Sequence, residues 1–448
     1  MSKLMKSVSG IRGIVGDSLK TELVLSFAKR FGVFSERGKV VVGRDSRTTG
    51  KMLLSAVSAG LMSVGADVID LGICPTPTVL LAVENLQADG GIAITASHNP
   101  PEWNALKLIN NTGTFLTHAQ SKKFWNIPEN ELVDLDWAHT GSFSQYAFAI
   151  EDHIKAIMEL SIIPTEKIIM KHFKVVIDST NGAGGLMSPQ FLRELGCEVI
   201  ELYSEPNGMF SRVAEPAAQN LGVLEVEVLK HNADIGFATD PDVDRLSIVS
   251  NKGTAFGTEY TLLLAEKYVL SQTKGNIATN LSSSMASDVI AQENAVEIFR
   301  SPVGEINVAE AMKENNCVIG GEGNGGIIFP ELHFTRDAPL GMALILSYLA
   351  VSGKPISELA AEIPKYYIYK TKLDISEDTD FDEVTKNIIH DYSHKKLDTQ
   401  DGIKIIDPEF WIHIRKSGTE PIVRIIAESS SEDESKKLCK DIIQKYFG

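Results

Sequence analysis

The sequence is poor in cysteine and in positive charge, and each shortage excludes a class of protein. Its four cysteines are spread over 448 residues and form no C-x-x-C pair. This argues against a disulfide framework or a zinc site and favours a reducing compartment. Acidic residues outnumber basic ones by 59 to 43, which gives a net charge of −16. Because such a surface repels a phosphate backbone, we expect no broad binding to nucleic acid.

Long apolar runs are also missing. The longest, about residues 340–351, is too short to cross ~30 Å of hydrocarbon. The lysines near the N-terminus precede no apolar run, so we expect no signal peptide and no membrane partner. With 43% hydrophobic and 23% charged residues, the composition is typical of a globular protein, here expected in the cytoplasm. It favours neither a monomer nor a homo-oligomer.

Three segments repeat one order of strand, small-residue turn, helix and strand, beginning at Lys39, Lys174 and Gly275. Each combines β-branched runs, Gly/Ser/Asn turns and apolar residues three and four apart. Because parallel strands need crossover helices, this predicts the α/β class, with three similar domains of mixed or parallel sheet. A smaller α+β domain should follow, and the four domains should surround a central cleft. A long amphipathic helix is expected at 144–160. The predicted domains are 1–142, 143–250, 251–355 and 356–448.

The most specific motif is D-P-D-V-D-R, which lies between two strand-like segments. Asp240, Asp242 and Asp244 are spaced so that one turn can surround a hard cation such as Mg²⁺ or Ca²⁺. An EF-hand would need Gly and Glu where this chain has Arg245 and Asn251, so that motif is excluded. The alternative is an acidic surface turn. We favour a metal site, because an arginine directly after three acids is an unusual choice for solubility alone.

A second motif, T-A-S-H-N-P-P, follows the apolar segment G-I-A-I-T, and Lys107 comes ten positions after its serine, Ser97. Two prolines prevent a helix here. Ser97 is therefore presented beyond the end of a strand, where open α/β sheets bind ligands. Taken alone, Ser97 and His98 are better explained as ordinary loop residues. A serine hydrolase is disfavoured because G-x-S-x-G is absent.

Two further segments favour a phosphorylated polyhydroxy ligand. The run G-G-E-G-N-G-G contains G-x-G-x-x-G but continues as a strand, which excludes a dinucleotide-binding helix. A hairpin that holds Glu322 and Asn324 near sugar hydroxyls fits better, with a plain turn as the alternative. The segment R-K-S-G-T-E-P, with Arg424 after it, could form a phosphate nest, although an exposed basic turn is equally compatible. Arg12, between two glycines, is a weak signal by itself.

Together, T-A-S-H-N-P, D-x-D-x-D-R, G-E-x-x-G and R-x-S-G-T-E-P resemble the motifs of the α-D-phosphohexomutase superfamily. They occur in the family's order, one in each predicted domain, and the resemblance covers nearly the whole chain. It implies that Ser97 is a phosphoserine and that Lys107 is the general acid and base. Arg12 and His98 would support the phosphoserine.

The resemblance also implies a metal and a substrate site. One Mg²⁺ would be held by a phosphoserine oxygen of Ser97 and by Asp240, Asp242 and Asp244. The implied substrate-binding residues are Arg245, Gly304, Glu322, Asn324, Arg415, Ser417, Gly418, Thr419 and Arg424.

The implied reaction moves a phosphoryl group between C6 and C1 of a hexose phosphate, with a hexose 1,6-bisphosphate as primer and intermediate. The glycine-rich loop resembles that of an archaeal and Bacteroidetes-like branch of phosphoglucosamine mutases, so glucosamine phosphate is the expected substrate. A bifunctional phosphomannomutase/phosphoglucomutase is the alternative enzyme. A non-catalytic sugar-phosphate-binding protein is the alternative of another class. For the enzyme, we also expect neighbouring cations to lower the pKa of Lys107.

Overall fold

The computed structural model describes residues 4–375, 380–416 and 422–447. It contains four successive sheets with their own helices, and a central cleft lined by all four parts of the chain. This confirms the predicted α/β class, with three similar domains and a smaller C-terminal one. Within the described ranges, no helix has both the length and the apolarity needed to span a bilayer.

The first sheet carries the serine loop. Its elements are β1 (Met5–Ser7), β2 (Gly10–Ile14), α1 (Thr21–Phe34), β3 (Lys39–Arg44), α2 (Gly50–Ser63), β4 (Asp67–Ile73), α3 (Thr76–Asn85), β5 (Gly90–Ile94), β6 (Trp103–Asn110), α4 (His118–Trp125) and β7 (Phe143–Gln145). The strand order is β1-β2-β6-β5-β3-β4-β7. The three valines of β3 are fully buried, as expected for a parallel strand covered on both faces. Antiparallel pairing of β5 with β6 brings Lys107 opposite Ala93, close to the serine loop.

The second sheet carries the aspartate loop. Its elements are α5 (Ala149–Met158), α6 (Thr165–Lys171), β8 (Lys174–Asp178), α7 (Gly184–Glu194), β9 (Glu198–Leu202), α8 (Gly222–His231), β10 (Ile235–Thr239) and β11 (Leu246–Ser250). The strand order is β11-β10-β8-β9, and β10 and β11 flank the loop as an antiparallel pair. The helix predicted at 144–160 is wrong at its N-terminal end, because β7 pairs with β4 and α5 begins only at Ala149.

The third sheet carries the glycine-rich hairpin. Its elements are α9 (Glu259–Gln272), β12 (Asn276–Asn280), α10 (Ala286–Glu293), β13 (Ile298–Ser301), α11 (Glu305–Glu314), β14 (Cys317–Glu322), β15 (Gly326–Ile328), α12 (Ala338–Ser352) and α13 (Ile356–Ala361). The strand order is β13-β12-β14-β15. Antiparallel pairing of Glu322 with Gly326 confirms a hairpin rather than a dinucleotide-binding helix. Helix α12 is apolar all round and lies in a core shared with the second domain.

The fourth sheet is antiparallel throughout. Its elements are β16 (Tyr367–Asp374), α14 (Phe381–Asp391), β17 (Lys396–Asp398), β18 (Ile403–Ile406), β19 (Phe410–Lys416), β20 (Ile422–Ser429) and α15 (Glu432–Tyr446). The strand order is β16-β20-β19-β18-β17. Apolar side chains of these strands and of both helices form a separate core. The C-terminal unit therefore has its own stable framework, on which β19 and β20 present the predicted phosphate-binding arginines. The domain boundaries given above stay predictions.

Candidate functional site

A cleft of about 640 Å³ lies where the four domains meet, a volume suited to a small molecule. It gathers side chains that are up to 419 positions apart in the sequence, from Ser7 to Ile426. The predicted residues that line it are Arg12, Ser97, His98, Lys107, Arg245, Gly304, Glu322, Asn324, Arg415 and Arg424. The predicted residues Ser417, Gly418 and Thr419 lie outside the described part of the chain.

Ser97 sits on the loop that follows β5, with a φ of +49°. A non-glycine residue in this left-handed region is uncommon and is found where surrounding structure enforces it. Here the backbone amide of Ser97 donates to Thr95 Oγ1 at 2.9 Å. The Ser97 hydroxyl donates to Asp240 Oδ2 at 2.7 Å, which joins the serine loop to the aspartate loop. The hydroxyl is thus held at the boundary between the first two domains.

Arg47, which the sequence reasoning missed, holds the serine loop in place. Its buried guanidinium donates to the carbonyl oxygens of Ser97, Asn99 and Pro100 at 2.6 to 2.7 Å. Asp45 pairs with its Nε at 3.0 Å. One side chain therefore satisfies three loop carbonyls that a buried loop would otherwise leave unpaired. The sequence signal was a polar Asp-Ser-Arg run directly after the apolar strand β3.

Asp240, Asp242 and Asp244 form a buried cluster beside Ser97, each with at most 1% of its surface exposed. One carboxylate oxygen from each lies within 4.8 Å of the others. Among the described residues, Oδ1 of Asp242 and Oδ1 of Asp244 have no hydrogen-bond partner. Burial and the charges of Asp244 and Asp242 raise the pKa of Asp240 well above its usual range. Unpartnered oxygens on crowded carboxylates fit a hard divalent cation.

Lys107 lies among these carboxylates, with Nζ 2.6 Å from Asp242 Oδ2 and 3.6 Å from Asp244 Oδ2. Burial alone would lower the pKa of Lys107, but the two aspartates raise it above its ordinary value. The lowered pKa predicted from the sequence is therefore wrong for this structure. The sequence suggested cations around Lys107, whereas the assembled domains place it against the aspartate loop. Thr76 also donates to Asp242 Oδ2, at 2.7 Å.

Positive groups line the cleft together with Ser97. Arg12 donates to Asn99 Oδ1 at 2.7 Å, and Nδ1 of His98 lies 3.3 Å from Ser97 Oγ. Burial and the charges of Arg245 and Arg12 lower the pKa of His98 to about 2. Because the charges of two guanidiniums disfavour protonation of His98, the region around the ring is positive. Such a region would stabilise a phosphoryl group on Ser97.

The glycine-rich hairpin fixes the carboxylate of Glu322 in the cleft. Oε1 accepts from Asn280 Nδ2 at 2.8 Å and from the amide of Gly304 at 3.1 Å, and Oε2 accepts from Arg336 Nη1 at 2.7 Å and from Asn324 Nδ2 at 3.1 Å. Burial alone would raise the pKa of Glu322, but Arg336 holds it below its usual range. Glu322 is therefore a charged acceptor with a fixed orientation, as recognition of sugar hydroxyls requires.

Arg336 is a second residue that the sequence reasoning missed. It binds Asp244 through Nη2 at 2.6 Å and Glu322 through Nη1 at 2.7 Å, and its Nε lies 3.2 Å from Glu305. It thereby links the aspartate cluster to the glycine-rich hairpin. In the sequence, the only indication of its role is its position directly before Asp337, the N-cap of the apolar helix α12.

Arg415 and Arg424 line the cleft from the C-terminal sheet and make this part of it basic. They are direct cross-strand partners on β19 and β20, so both side chains project from the same face of the sheet. Like charges in such a pair repel each other. Among the described residues, Nε of Arg415 is buried without a hydrogen-bond partner. An anion between the two guanidiniums would remove the repulsion and satisfy that donor.

Four family models match successive parts of the chain. They describe phosphoglucomutase/phosphomannomutase α/β/α domain I at residues 3–132, domain II at 151–253, domain III at 257–367 and the C-terminal domain at 371–445. The chain belongs to the phosphoglucomutase/phosphomannomutase family. Its predicted place in the α-D-phosphohexomutase superfamily is thereby confirmed. It is an enzyme of phosphoryl transfer, a phosphohexomutase of a metal-dependent family.

Similar proteins extend this membership over the whole chain. A phosphoglucomutase/phosphomannomutase of Thermococcus kodakarensis is 39% identical, with 96% of this chain and 95% of the relative covered. A probable phosphoglucosamine mutase of Methanopyrus kandleri is 34% identical, with 97% and 96% covered. The crystal structure of a putative phosphomannomutase from Thermus thermophilus matches with a TM-score of 0.84 at 26% identity, over both full lengths. The predicted likeness of this phosphohexomutase to archaeal phosphoglucosamine mutases is thus confirmed.

Proposed function

We propose that this phosphohexomutase interconverts glucosamine 6-phosphate and glucosamine 1-phosphate through a phosphoserine at Ser97 and a glucosamine 1,6-bisphosphate. One observation carries the proposal. The hydroxyl of Ser97 lies 2.7 Å from Asp240 and faces the same cleft as the paired arginines Arg415 and Arg424. A bisphosphate needs these two separate anion sites. The substrate is proposed from the glycine-rich loop, and relatives named phosphoglucosamine mutase support it.

The aspartate cluster would hold one Mg²⁺ together with an oxygen of phosphorylated Ser97. The unpartnered Oδ1 atoms of Asp242 and Asp244 fit this ion. When bound, it would neutralise charge that develops on the phosphoryl oxygens during transfer. Arg12 and Arg245, which line the same cleft as Ser97, would add positive charge from the protein.

In the first half-reaction, a sugar hydroxyl attacks the phosphorus on Ser97. A new P–O bond to the sugar forms while the bond to Ser97 Oγ breaks. The proton that the hydroxyl loses balances the one that the serine hydroxyl regains. Lys107 is placed to exchange a proton with the sugar, because its Nζ reaches the cleft beside the aspartates.

In the second half-reaction, the other phosphate of the bisphosphate returns to Ser97 and the sugar oxygen regains a proton. The ammonium form of Lys107, which its ion pair with Asp242 favours, is the acid that this step needs. Glu322 and Gly304 would contact sugar hydroxyls in both orientations. Arg415 and Arg424 would bind whichever phosphate is not reacting.

The test is ³¹P NMR of the protein with Mg²⁺ and a hexose 1,6-bisphosphate primer. Glucosamine, mannose and glucose 6-phosphates compete in one sample. We expect the glucosamine resonance to move first, and Ser97→Ala to show neither turnover nor a phosphorylated protein by intact mass. Turnover by folded Ser97→Ala would overturn the role of the serine. A sample in which no resonance moves would favour a binding protein without catalysis.

A bifunctional phosphomannomutase/phosphoglucomutase is the second candidate. The name of the 39% identical relative from Thermococcus kodakarensis favours it. The cleft chemistry is the same for both candidates, since the sugars differ only in substituents around the ring. Earlier movement of the mannose or glucose resonance would establish this alternative.

A further inference from the structure

Asp401 occupies the turn that leads into β18, next to the proposed phosphate-binding arginines. Gly402 after it has a φ of +72°, and a side chain there would meet the carbonyl oxygen of Ile414 at 2.3 Å. The next residue, Ile403, pairs with Ile414. The turn can therefore approach β19 closely enough to set Asp401 against Arg415. This close approach explains the glycine at position 402.

The carboxylate of Asp401 joins two domains through one oxygen. Oδ2 accepts from Arg415 Nη1 at 2.8 Å and from the backbone amide of Val303 at 3.1 Å. Val303 precedes Gly304, whose amide donates to the sugar-recognition carboxylate of Glu322. Arg415 is thus connected to Glu322 of the glycine-rich hairpin through the Asp401 carboxylate and the backbone of Val303 and Gly304.

A second hydrogen-bonded path runs in parallel. His413 Nε2 donates to the carbonyl oxygen of Asp401 at 2.6 Å, and its Nδ1 accepts from Ser282 Oγ at 2.8 Å. The amide of Ser282 donates to Asn280 Oδ1, and Asn280 Nδ2 donates to Glu322. Because a carbonyl oxygen only accepts, the tautomer of His413 is fixed. Burial lowers its pKa to about 4, which keeps the ring neutral at physiological pH.

We propose that Asp401 is a positioning residue for substrate binding, and this rests on the proposed function of Arg415. Asp401 occupies Nη1 of Arg415 and so fixes the plane of the guanidinium. The Arg415 side chain lines the cleft, so a guanidinium with a fixed plane presents its remaining donors to the non-reacting phosphate in one orientation. Through Val303, Asp401 also holds the arginine at a set distance from the sugar-recognition hairpin.

The kinetic consequence follows from which phosphate Arg415 holds. The non-reacting phosphate has the same charge in the ground state and in the transition state of transfer. Losing its orientation should therefore weaken both states equally, which raises KM and leaves kcat nearly unchanged. A charge-assisted hydrogen bond of this kind corresponds to roughly 10- to 100-fold in binding.

The experiment compares Asp401→Ala, Asp401→Asn and Asp401→Glu with wild type, in steady-state assays of the full-length Mg²⁺-supplied enzyme. Asp398→Ala is the matched control, because it removes a carboxylate at the end of β17, three positions before Asp401, that hydrogen-bonds only Gln400 among the described residues. We expect Asp401→Ala to raise KM for glucosamine 6-phosphate roughly tenfold or more, with kcat within about threefold. Asp401→Asn keeps an acceptor oxygen and should restore KM to within about threefold of wild type.

Other outcomes overturn the proposal. A lower KM in both Asp401→Ala and Asp401→Asn would mean that the carboxylate only competes with phosphate for Arg415. An unchanged KM in Asp401→Ala would mean a purely structural role. Asp401→Glu keeps the charge but displaces it, so it should raise KM even if the alanine variant fails to fold, and a wild-type KM there contradicts positioning. If wild type turns over no hexose phosphate, the proposed function fails first.

Discussion

Two buried clusters at the domain junction are contacted by the same two segments of the chain, yet they have opposite properties. At the start of α3, Thr76 donates to Asp242 and Thr78 hydrogen-bonds His153. Directly before α12, Arg336 donates to Asp244 of the first cluster, and the adjacent Asp337 accepts from the two histidines of the second. The first cluster holds Asp240, Asp242 and Asp244, and the second holds His153, His333 and Asp337, each with its candidate ligand atoms within 4.8 Å.

The histidine cluster satisfies its own carboxylate. Asp337 Oδ2 accepts from His153 Nε2 at 2.7 Å and from His333 Nε2 at 2.9 Å, while Oδ1 caps α12 through the amide of Leu340. Burial alone would raise the pKa of Asp337, but the two histidines hold it well below its usual range. Both oxygens of this buried carboxylate are used. The cluster therefore joins elements of different domains and leaves no carboxylate oxygen open to a ligand.

The aspartate cluster differs in the two carboxylate oxygens that it leaves unpartnered among the described residues. Spacing of ligand atoms alone does not separate the two sites, because the atoms of both lie within 4.8 Å of one another. What separates them is whether each buried carboxylate oxygen already has a donor, since the atom without a partner in the histidine cluster, within the described part of the chain, is a ring nitrogen, His333 Nδ1. We infer that the histidine cluster contributes stability and that the aspartate cluster contributes catalysis, and each of the following predictions tests one side of this contrast.

The largest expected effect is on activity. Asp242→Asn should lower turnover roughly thousandfold, because it removes a charged oxygen at the site of transfer. The thermal unfolding midpoint should fall less than in Asp337→Asn, because Asp244 still compensates Lys107 at 3.6 Å and one of three mutually repelling carboxylates is removed. The ³¹P assay and a melting curve measure the two quantities. A variant that keeps the wild-type response of rate to Mg²⁺ would contradict the assignment.

The next effect is on stability and concerns the other cluster. Asp337→Asn should lower the free energy of unfolding by about 3 kcal/mol, because it leaves two buried imidazoles without their charged acceptor. In the folded fraction, kcat and KM should stay within about threefold of wild type. Urea unfolding followed by fluorescence measures the free energy, and steady-state assays measure kcat and KM. Loss of activity at an unchanged unfolding midpoint would break the contrast.

The alternation of strands and helices and the motif residues could be predicted from the sequence, because both depend on short-range pattern. Alternation of β-branched runs and amphipathic helices gave the three α/β units, and the turn chemistry gave the glycine-rich hairpin. The exception at 144–160 has a physical reason. Residues 143–145 pair with β4, some 75 positions away, and this long-range pairing prevails over helical periodicity.

The supporting side chains could not be predicted, because their partners are distant in sequence. Arg47 acts on carbonyls 50 and more positions away, and Arg336 binds Asp244 across 92 positions. The raised pKa of Lys107 has the same origin, since Asp242 comes from another domain. Sequence motifs identify residues that carry chemistry. The residues that orient them become visible only once the domains are assembled.

A smaller effect should separate the clusters by their response to a divalent cation. A ligand that binds only the folded state stabilises it by mass action, by about 2.7 kcal/mol at a hundredfold excess over Kd. MgCl₂ should therefore raise the melting temperature of wild type and of Asp337→Asn, but not that of Asp242→Asn. Sodium chloride at equal ionic strength is the control. Equal shifts in all three proteins would place the cation elsewhere.

The smallest expected effect is on how the unfolding midpoint changes at acidic pH, and its sign follows from the pKa of Asp337. An unfolded aspartate has a pKa of about 3.9, and the folded value is lower. Its contribution is therefore fully present above about pH 4 and is lost as pH falls through the folded pKa. The difference in unfolding midpoint between wild type and Asp337→Asn should shrink as pH falls below about 4. Asp398→Asn, which removes a carboxylate at the end of β17, remote from both clusters, serves as the control. A difference that grows on acidification would mean that the histidines do not stabilise the charged form of Asp337.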